Sequence, residues 1–133
     1  MLSDHAIANI GQYALIRNKK QQLLVLERID IKKTGLPGGR LEEGESWDLS
    51  LLREVKEESN IDCSNPKPFA VHVSQEDECI KYCVYFTVTP KYPLSVKVDD
   101  TKYRLRWIGA KTAEKTTFFN ERIKKVAIDF LKT

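Results

Sequence analysis

The chain has 133 residues, enough for one domain with its own core and few for two. Hydrophobic residues make up 41% and charged residues 31%, the balance of a soluble globular protein, and no apolar run reaches the ~20 residues of a membrane helix. The net charge of +3, with lysines scattered as in Lys19-Lys20, Lys32-Lys33 and Lys124-Lys125, is too small to argue for nucleic-acid binding by itself.

The first residues, Met1-Leu2-Ser3-Asp4-His5, show no basic patch leading into an apolar stretch, so no signal peptide is expected. Residues 6–16 are apolar without helical spacing and predict a strand. A polar turn follows at 18–22, and residues 23–26 predict a second strand, with a hairpin as the simplest connection. Residues 33–44 hold four glycines and a proline, the composition of a long loop with special backbone needs. A helix is predicted over 46–59, with Ser46 as N-cap and Asn60 as a left-handed end. Cys63, Cys79 and Cys83 are odd in number and form no CxxC pair, so free thiols in a reducing cytoplasm are expected. Strands are predicted at 69–73, 82–88 (with Tyr82, Val84 and Phe86 alternating) and 103–108, ending near Trp107. Residues 120–131 place Ile123, Ala127, Phe130 and Leu131 at helical spacing, an apolar face for the sheet. The order implies a mixed sheet with helices packed on it, in one domain spanning 1–133.

The helix over 46–59 carries the chemical signal. With Leu49 at zero and a turn of about 100° per residue, Leu51, Leu52 and Val55 fall at about 200°, 300° and 240°. Glu54, Glu57 and Glu58 fall at about 140°, 80° and 180°, a separate carboxylate arc. Like charges spaced i, i+3 and i+4 destabilise a helix by roughly 0.2–0.5 kcal/mol per pair, and these lie toward the negative end of the helix dipole. A divalent cation would reverse both penalties, and hard oxygen ligands suit Mg²⁺ or Mn²⁺. The competing structural reading is an exposed acidic face partly paired with Arg53 and Lys56. The preceding Gly38-Gly39 favours the metal reading, because two glycines bring bare backbone close to a ligand.

The stretch from Leu36-Pro37-Gly38-Gly39 to Ile61 resembles the Nudix box. That pattern runs Gly, five residues, Glu, seven residues, Arg-Glu-hydrophobic-any-Glu-Glu-any-Gly-hydrophobic. Gly39, Glu45, Arg53, Glu54, Val55, Glu57, Glu58 and Ile61 stand at its positions; Asn60 replaces its last glycine. The resemblance implies an α/β fold, the Nudix-type α/β/α sandwich with a mixed β-sheet. It implies a hydrolase that splits the phosphoanhydride of a nucleoside diphosphate linked to X, with Mg²⁺ (or Mn²⁺) as cofactor. Gly38 (through its carbonyl), Glu54, Glu57 and Glu58 would hold the metal. Glu54, Glu57 and Arg53 would be catalytic, with Arg53 orienting the glutamates, and Glu45 would support the loop and helix start. Gly38, Gly39 and Arg40 would contact substrate. Some relatives use a carboxylate from a later loop; here Asp99 or Asp100 stands in that place, against a plain loop reading.

The nucleoside pocket is expected among the first strands, the 69–75 region and the loop before the last helix. Phe118 and Phe119 there are read as core or staple residues before base-stacking ones, and Tyr82 and Trp107 as core. The markers of ADP-ribose, dinucleoside polyphosphate and coenzyme A enzymes are not found, so a MutT-like (d)NTP pyrophosphohydrolase comes first. ADP-ribose, sugar-nucleotide and dinucleoside polyphosphate hydrolases, and a silent nucleotide-binding module, remain alternatives. An RNA-directed member fits less well with a charge of +3. The expected partner is a small nucleotide, with no membrane and no stable nucleic-acid partner, in a cytoplasmic monomer or homodimer.

Overall fold

A computed structural model describes residues 7–94, 96, 99 and 102–133. The elements are β1 (Ala8–Leu15), β2 (Leu23–Arg28), β3 (Lys33–Gly35), β4 (Gly38–Arg40), α1 (Trp47–Ser59), β5 (Cys63–Glu76), β6 (Cys79–Pro90), β7 (Tyr103–Ile108), α2 (Ala110–Lys115) and α3 (Glu121–Leu131). Each predicted strand and helix is present. The glycine-rich stretch is less of a loop than its composition suggests, for it contains two short strands, β3 and β4. Helix α2 was not predicted; at six residues with one buried side chain, Ala113, it has no periodicity to read.

The strands form two sheets. One is mixed, in the order β4-β1-β6-β5, with β1 parallel to β6 and antiparallel to β4. The other is antiparallel, in the order β3-β2-β7. The expected β1–β2 hairpin is therefore corrected: its root forms, and the strands then part. Asn18 caps the turn, its carboxamide oxygen accepting from the Lys20 and Gln22 amides, and an isolated bridge joins Arg17 to Leu23. Beyond that bridge each strand needs partners on both sides, because Ala14, Leu15, Ile16, Leu23, Leu24 and Val25 are all buried.

Strand alternation sends successive residues to two cores. Ala14, Ile16, Leu24, Phe86 and Val88 pack with Leu51 and Val55 of α1 and with Ile61. Leu15, Leu23, Val25, Cys83 and Tyr85 pack with Ala113 of α2 and with Val126, Ala127 and Phe130 of α3. Helices thus cover both faces of the strand layer, the expected sandwich. Cys63, Cys79 and Cys83 form no disulfide, consistent with the thiols expected. Among the described residues no helix is long and apolar enough to cross a membrane.

Candidate active site

Helix α1 buries Leu51 and Val55 and leaves its carboxylate arc at the surface. Its N-terminus is built by Glu45. The Ser46 side chain caps no backbone amide and instead donates to the Asp48 carboxylate. Glu45 Oε1 accepts from the Glu42 amide at 2.9 Å and from Ser50 Oγ at 3.1 Å, which ties the entering loop to the first turn. Those bonds, the Glu42 amide first and the Arg53 guanidinium second, hold the Glu45 carboxyl below the usual carboxylate range. At the other end Asn60 adopts φ 67° and ψ 12°, the left-handed conformation expected of it, and its amide donates to the Lys56 carbonyl at 2.9 Å.

Arg53 is the hub of the arc. Its Nη2 lies 2.9 Å from Glu45 Oε2 and 3.3 Å from Glu54 Oε1, and its Nη1 lies 3.0 Å from Glu57 Oε1. The guanidinium holds its proton more tightly than usual, chiefly through Glu57 and then Glu45. A planar fork with five donors is suited to bridging several carboxylates at once. The fourth carboxylate, Glu58, turns the other way and accepts the Gly38 amide at 3.1 Å.

The glycine turn sits directly over these acids. Gly38 has φ 150°, and a Cβ there would lie 2.1 Å from the Gln12 carbonyl oxygen. A Cβ on Gly39 would meet the Glu54 carboxyl group at 3.1–3.3 Å. Only bare backbone fits between β1 and the acids of α1, which is why two glycines stand here. Arg40 follows, exposed, opposite Gly11 in the β1–β4 ladder.

The donors are carboxylate and backbone oxygens without sulfur or imidazole, the chemistry of a hard divalent cation. Among the described residues no three acidic, His or Cys side chains are drawn together as a ready metal cage. The reason lies in the bonds above: Glu45, Glu54 and Glu57 gather round Arg53, and Glu58 turns to Gly38. The Glu57 side chain is 57% exposed and Glu54 25%, so both can turn from the guanidinium to a cation, and the donor set fits one.

On the α3 side of the mixed sheet lies a cleft of about 410 Å³ lined by His72, Ser74, Lys81, Cys83, Asn120, Glu121 and Arg122. Tyr85 Oη lies 3.5 Å from His72 Nδ1, and the Tyr85 ring stacks on Tyr13 at 5.6 Å. Tyr13 is the ladder partner of Gly38. A line of rings therefore runs from the cleft to the glycine turn. Burial first, then Arg122 and Lys81, hold His72 below its usual pKa. The 69–75 region and the loop before α3 both reach this cleft. Lys81 and Arg122 carry no sequence signal for this cleft: Tyr82, Val84 and Phe86 mark one face of β6, and Lys81, Cys83 and Tyr85 alternate on the other.

Phe118 is a core residue, while Phe119 is 41% exposed and lays its ring against Gly35. Trp107 packs against the α1-side core, and Tyr82 is 39% exposed rather than core. The Asp99 carboxylate accepts the Leu105 amide at 3.0 Å, a bond that ties Asp99 to β7. Asp100 lies outside the described residues.

The fold places the chain among MutT-type structures. A MutT protein from Bacillus halodurans superposes with a TM-score of 0.77 at 18% identity, over 94% of this chain and 83% of that one. A MutT protein from Methanosarcina mazei Go1 gives 0.75 at 24% identity, over 98% and 97%. A Bacillus subtilis (strain 168) protein named "Putative 8-oxo-dGTP diphosphatase" is 35% identical over 100 residues; the match takes in 74% of this chain and 65% of that relative's length. The NUDIX domain model matches residues 9–129, and the chain belongs to the Nudix family.

Proposed function

We propose that the chain is a Mg²⁺-dependent pyrophosphohydrolase of the cytoplasm, acting on a (d)NTP-like nucleoside polyphosphate. The observation that carries this reading is the knot of Glu45, Glu54 and Glu57 around Arg53, closed from above by the glycine turn that Glu58 grips. Glu54, Glu57 and Glu58, with the Gly38 carbonyl, would hold the cation, which when bound neutralises phosphate charge and lowers the pKa of water. Arg53 positions the glutamates through charge-assisted bonds. Glu54, whose carboxyl lies against Gly39, would take a proton at its carboxylate, with Glu57 as the alternative base. Gly38 and Gly39 give the phosphates room to approach backbone, and Arg40 offers an exposed cation beside them.

In this reading the nucleoside occupies the cleft of His72, Asn120 and Arg122, which is polar enough to read base or sugar edges and lies along the tyrosine line from the glutamates. The name of the Bacillus subtilis relative favours a purine nucleoside triphosphate. The test is a phosphate- and pyrophosphate-release screen with Mg²⁺ over canonical and oxidised nucleoside triphosphates, ADP-ribose, sugar nucleotides and dinucleoside polyphosphates. Preferential release of pyrophosphate from one or more nucleoside triphosphates is expected. Faster turnover of a non-triphosphate substrate would replace the proposed substrate class, and no turnover of any would leave a silent nucleotide-binding module in its place.

A further inference from the structure

A second cleft, of about 540 Å³, opens between β7, the β2–β3 turn and the end of α2. It shares no lining residue with the cleft of His72 or with α1. Arg104 and Arg106 stand two apart on β7 and so on one face, opposite Glu27 and Val25 of β2. Glu27 lies between them, only 17% exposed: Oε1 is 2.5 Å from Arg104 Nη2 and Oε2 is 2.8 Å from Arg106 Nη1. One carboxylate thus splits its two oxygens between two guanidiniums and holds both in place. Lys32 and Lys115 add two more cations to the lining, beside threonines and Ile29.

The charges do not balance. Four cations face one carboxylate, leaving an excess of three, the same as the net charge of the whole chain. A guanidinium has five N–H donors, and Glu27 takes one from each arginine, so the pair keeps planar forks able to meet further oxygens. The walls are tied together: the Thr34 amide donates to the Thr117 carbonyl at 3.0 Å, and the Phe119 amide donates to the Thr34 carbonyl at 2.9 Å. The cations are therefore brought together by backbone that is already paired, before any ligand arrives.

We propose that this cleft is an anion site for an oligophosphate chain, distinct from the carboxylate site. Oligophosphate is the class indicated because four cations line one cleft, too many for one monovalent anion, and because arginine forks match phosphate oxygens in pairs. The proposal rests on the cleft alone and survives or fails independently of the hydrolytic reading.

The test is calorimetric titration of the full chain with inorganic tripolyphosphate in metal-free buffer at low salt, where the glutamates repel polyanions. One-site binding that weakens as ionic strength rises is expected. Arg106→Gln should weaken it about tenfold or more, the scale of a lost charged hydrogen bond. Lys115→Gln, at an exposed position that does not threaten the fold, should weaken it by a smaller factor, and Glu57→Gln should leave it intact. Absence of binding, or equal affinity in both the Arg106→Gln and Lys115→Gln variants, would overturn the proposal. So would markedly tighter binding in Glu57→Gln, which would place the anion at the carboxylates, where the lost charge relieves repulsion.

Discussion

Helices α1 and α3 pack on opposite faces of the same strand layer, and they differ most in how their N-termini are capped and in how many acids each carries near its C-terminal end. In α3 the Asn120 side chain accepts the Ile123 amide at 2.9 Å, Glu121 sits in the favourable first turn, and Lys125 pairs with Asp129 four residues on. In α1 the Ser46 side chain caps nothing, and Glu57 and Glu58 stand near the end where the dipole disfavours them. Besides the ordinary i,i+4 pair of Arg53 with Glu57 and the Asn60 end, α1 is held from outside the helix by Glu45, which reaches in from the preceding loop and also pairs with Arg53. A helix that breaks local rules and is supported from elsewhere is the expected mark of a functional element.

Several experiments sharpen that contrast, and the largest effect falls on the glycine turn. Gly38→Ala forces a Cβ to within 2.1 Å of the Gln12 carbonyl oxygen, so it should destabilise the fold by about 3 kcal/mol or more, read from the urea midpoint. A loss under ~1 kcal/mol would show that β1 and the turn can part cheaply. Glu57→Gln should lower turnover by on the order of a hundredfold or more while leaving the circular dichroism spectrum and melting temperature near those of the parent. Near-normal turnover would remove Glu57 from the cation's ligands.

Mg²⁺ should stabilise the parent by about 2.7 kcal/mol at a hundredfold excess over Kd, and Glu57→Gln should shrink that gain. A melting temperature indifferent to both Mg²⁺ and Mn²⁺ would undo the metal reading. On the other helix, Asn120→Ala should cost about 1 kcal/mol through the lost cap, with no change in the response to Mg²⁺. A Mg²⁺ response that disappeared with it would mean that the two helices are not separate in function.

The smallest effect is in acid. The folded-state pKa of Glu45 is lowered, so its contribution is present above the unfolded value of about 4.5 and is lost as pH falls through the lower folded value. Glu45→Gln should therefore make the unfolding midpoint less sensitive to pH below about 4.5 than in the parent. An unchanged acid limb would show that Glu45 gains nothing from the Glu42 amide and Arg53.

The candidate site was largely legible in the sequence, because the box from Gly39 to Ile61 is one contiguous turn and helix. Within such a segment, spacing alone decides which side chains are neighbours. Even the departure at Asn60 was readable, since few residues other than glycine accept φ 67°. Beyond that segment the reading weakened. Lys81 and Arg122 lie far apart in the chain and meet only because β6 and the start of α3 face each other across one cleft. The same is true of Glu27 with Arg104 and Arg106, whose proximity depends on the β2–β7 register.

By itself, the sequence determined the five longer strands and the two long helices, the carboxylate arc, the glycines over it and the family. Each follows from local periodicity or from a fixed spacing within one short stretch. The division of seven strands into two sheets was decided only by the tertiary structure, because pairing depends on which buried strand finds two neighbours, a competition across the whole chain. So was the gathering of the arc's charges. The sequence put Glu54, Glu57 and Glu58 on one helix, but only the fold turned Glu58 up to the Gly38 amide and drew the others, with Glu45, around Arg53.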